Sequence, residues 1–250
     1  MKYTLISLLA ACSVGTAHWN YPVLVTQGQP SGEWEFVRLV DDHYGQSPVK
    51  GDVNSAALRC NEANPPNRTS TKEVQAGEEI AFQASQAMAH PGPFQVYMAR
   101  APDGVKAEDF AGDGDVWFKI FASQANITEH QMDWPGMSAH LHRVPKSFDI
   151  LLTIYLDSKM LNATIPKSTP DGDYLIRAEQ ISLHQASQEN GAQFYVGCAQ
   201  VRVTGGGTGD PGPKVAIPGA YKVDDPGIKI NIWYPIPERY DPPGPPVWTG

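Results

Sequence analysis

Two histidines far apart in the chain, His18 and His90, stand where each could offer nitrogen to a metal ion. The chain opens MKYTLISLLAACSVGTA and continues HWNYP. Lys2 precedes an apolar run from Tyr3 to Val14, and Gly15 and Ala17 occupy the small-residue positions of a signal-peptide cleavage site. Cleavage after Ala17 would give His18 a free α-amino group. That amine and the imidazole of the same residue can close a chelate ring on one ion, and an amine with a pKa near ~7.7–8 yields its proton readily to a metal such as Cu(II). His90 lies in Ala89-His90-Pro91-Gly92-Pro93, where two prolines and a glycine restrict the backbone and can aim an imidazole. In Gln193-Phe194-Tyr195-Val196-Gly197-Cys198, a strand would set Gln193 and Tyr195 on one face and Phe194, Val196 and Cys198 on the other. The cysteine-bearing face is expected to meet the core. Taken singly, His18 also reads as an ordinary first residue, His90 as a turn residue, and Gln193 with Tyr195 as a solvated strand face.

The elements that must position these residues are β throughout. The 23 glycines and 22 prolines cut the chain into short runs. Alternation of apolar and polar residues predicts strands over Glu79–Phe82, Val116–Ile120, Ile150–Tyr155, Tyr174–Leu183 and Gln193–Val203. Only Lys106–Phe110 suggests a turn of helix. The expected fold is all-β, an immunoglobulin/fibronectin-like β-sandwich with long loops. The Gly- and Pro-rich stretch from Gly205 carries Tyr221, Trp233, Tyr234, Tyr240 and Trp248, and is expected to wrap the sandwich as an ordered segment. The domain reading is a signal peptide over 1–17 and one β-sandwich domain over 18–250. It implies a secreted, extracellular protein. No later run is long and apolar enough for a transmembrane helix.

Of three cysteines, Cys12 leaves with the signal peptide, so Cys60 and Cys198 are expected to pair in an oxidising compartment. Asn67, Asn126 and Asn162 head glycosylation sequons. The formal charge of −8 argues against nucleic acid or an anionic membrane as partner and suits a neutral one such as a polysaccharide.

In order and spacing these segments resemble one family. The first histidine after a signal peptide, the His-Pro-Gly-Pro loop, Leu183-His184-Gln185-Ala186 and Gly191-Ala192-Gln193-Phe194-Tyr195 are similar to fungal lytic polysaccharide monooxygenases of auxiliary activity family nine. Gln95–Ala99, Val116–Ile120, Gly172–Glu179 and the run from Pro218 to Pro237 extend the resemblance over the mature chain. It implies one copper ion held by His18 through amine and imidazole and by His90, a three-nitrogen brace that suits the tetragonal preference of Cu(II). Tyr195 would stand at the axial position, with His184 and Gln193 bonding and protonating oxygen species beside it. The implied reaction is oxidative cleavage of β-1,4-glucan, with cellulose as substrate, an external electron donor, and O2 or H2O2. The enzyme would act as a monomer. Tyr240 and Tyr44 are expected to stack on sugar rings at the surface, and Tyr221 to pack.

A hydrolase would need two carboxylates at a set separation, and Asp113 and Asp115 read as surface residues of a Gly-rich loop. His140 and His142 form a His-x-His pair with no third ligand nearby in sequence. Two alternatives stay open: a non-catalytic copper carrier, and a secreted sandwich that binds cell walls without metal.

Overall fold

The computed structural model describes residues 18–64, 69–134 and 159–250. The strands are β1 (Val23–Thr26), β2 (Gln29–Pro30), β3 (Val49–Lys50), β4 (Lys72–Gln75), β5 (Glu79–Gln83), β6 (Phe94–Arg100) and β7 (Trp117–Ala122). They continue with β8 (Asn126–Ile127), β9 (Met132–Asp133), β10 (Met160–Thr164), β11 (Gly172–Ser182) and β12 (Gln193–Thr204). One sheet runs β10-β5-β1-β2. The larger runs β3-β12-β11-β6-β7, with β4 pairing β12 in parallel. Its spine is the long antiparallel pair β11–β12, in register from Gly172↔Val203 to Ser182↔Gln193.

This is a β-sandwich. One face of the large sheet carries Val96, Met98, Phe118, Ile176, Ala178 and Val201, buried in one core with Leu24, Ile80, Phe82 and Leu161 of the smaller sheet. The expected strands at 79–82, 116–120, 174–183 and 193–203 form within one or two residues. The expected helical turn is a single 3-10 turn, Ala107–Asp109. The expected strand Ile150–Tyr155 and the His140–His142 pair lie outside the described residues. Among the described residues no helix is long and apolar enough to cross a membrane.

The other face of the large sheet is covered too. Residues 205–250 wrap it: Val215 exchanges backbone bonds with Trp117, Trp248 N–H donates to Lys119 O, and Tyr221 is buried. Gly250 packs against Ser168 in the connection that leads into β11. Beneath this segment lies a polar network rather than an apolar face. Arg177 and Glu179, both wholly buried, form an ion pair, and Glu179 also accepts bonds from Tyr221 and Gln95. Lys119 Nζ donates to Pro243 O at 2.7 Å, and burial pushes its ammonium down to about 8. Cys60, ending a short helical turn (Ala57–Cys60), is bonded to Cys198 with Cα atoms 5.3 Å apart.

Candidate metal centre

The site residues gather at one end of the large sheet. The His90 loop leads into β6, His184 follows β11, Gln193 opens β12, and His18 precedes β1. The loop 90–93 has few amides of its own, because Pro91 and Pro93 lack N–H groups, so its carbonyls must hold it. Leu183 N–H donates to Pro91 O at 2.7 Å, Ile181 N–H to Pro93 O at 3.0 Å, and Gln180 Nε2 to His90 O at 3.0 Å. Gly92 adopts φ +150° and lies so close to β11 that a Cβ would overlap the Ile181 carbonyl oxygen. Gly92→Ala should therefore destabilise the metal-free protein by about 2 kcal/mol, read by urea unfolding. An unchanged midpoint would mean that the loop has room to shift.

The N-terminal segment is held as firmly. Trp19 and Asn20 are buried, and Asn20 N–H donates to Ser85 Oγ while its carbonyl accepts from Ser85 N–H. Trp19 stacks on Tyr195 with ring centres 4.0 Å apart. This seating brings three rings into a near-equilateral group: His18 to His90 is 6.2 Å between centres, and His18 to Tyr195 and His90 to Tyr195 are each 6.1 Å.

His184 stacks on His90 at 4.3 Å, and its Nδ1 is 2.6 Å from Ser182 Oγ. Burial pulls the His184 imidazole below its ordinary value, and the charge of His18 adds to this. Burial holds the Tyr195 phenol well above the usual range, so it is neutral. Its hydroxyl donates to Gln193 Oε1 at 3.3 Å. The two-residue period does set Tyr195 and Gln193 on one face. That face is not the outer one, however: Tyr195 is buried toward the sandwich interior, because both faces of β12 are covered.

The surface aromatics divide otherwise than the sequence suggests. Tyr44 is 90 % exposed on a turn closed by the Asp42 carboxylate, which accepts from Gly45 N–H, and tied to Asn20 through His43 O at 3.1 Å. Tyr240 is no surface tyrosine. It is 6 % exposed, its hydroxyl donates to Gly227 O, and its ring stands edge-on to Trp134. The exposed pair of the C-terminal segment is Trp233 and Tyr234, and Trp233 Nε1 donates to His184 O at 3.0 Å. Two adjacent aromatics in a Gly- and Pro-rich run were the available signal for them. Asn126 and Asn162 are exposed, and Asn67 lies outside the described residues.

The sequence matches Auxiliary Activity family 9 (formerly GH61) over residues 14–240. It is 46% identical, across 100% of both chains, to AA9 family lytic polysaccharide monooxygenase H of Malbranchea cinnamomea. It is likewise 46% identical to AA9 family lytic polysaccharide monooxygenase C of Emericella nidulans, over the full length of both. The fold resembles a cellulose-active polysaccharide monooxygenase from M. thermophila, with TM-score 0.70 and 30% identity over 93% of this chain and 100% of that one. The extended catalytic domain of H. jecorina LPMO9A matches with TM-score 0.74 and 25% identity, over 93% of this chain and 92% of that chain. A full-length sequence match and a shared sandwich lead to one conclusion: the chain belongs to Auxiliary Activity family 9, the copper-using lytic polysaccharide monooxygenases.

Proposed function

We propose that the chain is secreted, that residues 1–17 are removed after Ala17, and that His18 and His90 then hold one copper ion with which the enzyme cleaves cellulose or a related β-1,4-glucan. The observation that carries this reading is the group of three rings. Imidazole centres 6.2 Å apart leave between them the room that one ion takes when each ring nitrogen lies at about 2 Å from it. Among the described residues no three His, Cys, Asp or Glu side chains come together to hold a metal, so a third strong donor must come from elsewhere. The freed α-amine of His18 is that donor, and three nitrogens suit copper.

Bound copper would supply the one-electron chemistry, fed by an external reductant and by O2 or H2O2. The protein's own groups do the rest. Tyr195, neutral and buried, closes one side of the site without offering a charged oxygen. Because Gln193 Oε1 accepts the hydrogen bond from the Tyr195 hydroxyl, its amide N–H groups stay available as donors. Ser182 engages His184 Nδ1, which leaves Nε2 to take or give a proton at the surface. Tyr44, Trp233 and Tyr234 offer exposed ring faces to pyranose C–H groups. Retention of His184 and Gln193 favours the oxygenase over a passive copper carrier.

The test is mass spectrometry of products from cellulose. Protein beginning at His18, loaded with copper and given ascorbate and oxygen, should release oligosaccharides with oxidised ends, and His90→Ala should release none. Unoxidised oligosaccharides from both proteins would instead reveal a hydrolase.

A further inference from the structure

Gln180 is a buried amide where the apolar face of β11 meets the polar end that carries the site. It is wholly buried on β11, it follows Ile176 and Ala178 on the same face, and its cross-strand partners are Phe94 and Tyr195. Its Nε2 donates to His90 O at 3.0 Å, while its Oε1 has no hydrogen-bond partner. A half-satisfied buried amide costs free energy that Met or Leu would not, so its presence asks for a return elsewhere.

The His90 loop is where that return lies. Three carbonyls tie the loop to β11 and the residue just beyond it. Two of them accept from backbone amides, Ile181 and Leu183, which any sequence would provide. The third accepts from a side chain, and it belongs to the peptide of His90 itself. That bond fixes the plane of the peptide leaving His90, and with it the direction of the Cα–Cβ bond that carries the imidazole. The same amide nitrogen lies under Gly92, so it also sets how closely the loop approaches the strand. We propose that Gln180 is a positioning residue for the metal centre, aiming His90 at the ion through the His90 carbonyl. The inference rests on the copper reading above.

The test uses the secreted protein beginning at His18, with Gln180→Met as the first variant and Gln180→Leu as the second should the first fold poorly. Three readouts are taken: Cu(II) affinity by competition with a chelator, the electron paramagnetic resonance spectrum of the Cu(II) form, and thermal unfolding of the metal-free protein. The parent should bind one Cu(II). The variant should bind it about 10- to 100-fold more weakly, with altered copper hyperfine splitting, yet unfold within a few degrees of the parent or above it. An unchanged affinity and spectrum would overturn the proposal and leave Gln180 a space-filling residue. Affinity lost together with a collapsed unfolding temperature in both variants would overturn it in favour of a purely structural role. Failure of the parent to bind a single Cu(II) would remove the copper reading and this inference with it.

Discussion

Acetylated at the His18 α-amine, the chain should bind Cu(II) more than about 100-fold more weakly than the same chain with that amine free. It should also release no oxidised oligosaccharide from cellulose. Two imidazoles at 6.2 Å supply only two nitrogens, and among the described residues no third His, Cys, Asp or Glu joins them. The acetyl amide would spread the lone pair of that nitrogen into the carbonyl, which makes it a far poorer donor than the amine. Slack cannot compensate, because Trp19 and Asn20 behind His18 are buried and tied to Tyr195 and Ser85. The measurement compares two purified forms beginning at His18, one acetylated at the α-amine and one free, by calorimetric titration with Cu(II). Equal affinities would exclude the α-amine as a ligand and send the search for a third donor elsewhere.

Glu179→Gln should destabilise the fold by about 3–5 kcal/mol, because it strips the counter-charge from a cation with no access to water. Arg177 is wholly buried, with Nε 2.8 Å from Arg59 O and Nη2 2.8 Å from Leu58 O. Burial alone would draw the guanidinium down, but the adjacent Glu179 carboxylate holds it above its ordinary range. Glutamine keeps the shape but not the charge, and it weakens the bonds from Tyr221 and Gln95. At about 2–4 °C per kcal/mol for a domain of this size, the loss should be plain in a melting curve. The double variant Arg177→Met with Glu179→Leu should recover most of it, since removing both charges also removes the cost of burying them. A Glu179→Gln variant within about 1 kcal/mol of the parent would mean that water reaches the pair.

The long strands were legible because alternation of period two survives along β5, β7, β11 and β12. Two-residue strands such as β3 and β8 carry no such pattern; their pairing is decided by what lies beside them. The turn Ala57–Cys60, stopped by Asn61 at φ 49°, is too short for any helical period. For the candidate site, no local pattern could join His18 to His90 and Tyr195, which the fold brings together from three separate elements. Their order and spacing as a set carried that reading. What escaped was burial inside an aperiodic segment. Tyr240 and Trp233 both lie in a Gly- and Pro-rich run, and nothing in its pattern tells which ring turns inward. The buried polar face of β11 and β12 escaped for a related reason. Period two separates the faces of a strand but does not say what covers each.

The packing of Gly250 against Ser168 bears on how this enzyme could be handled as a material. Ser168 precedes β11, whereas His184 follows it, and eleven residues of extended strand span roughly 35 Å. A tether introduced at Gly250 and fixed to a bead or electrode would leave from the pole opposite the histidines. Protein anchored in that way should present its aromatic face to the bulk, free to settle on a fibre.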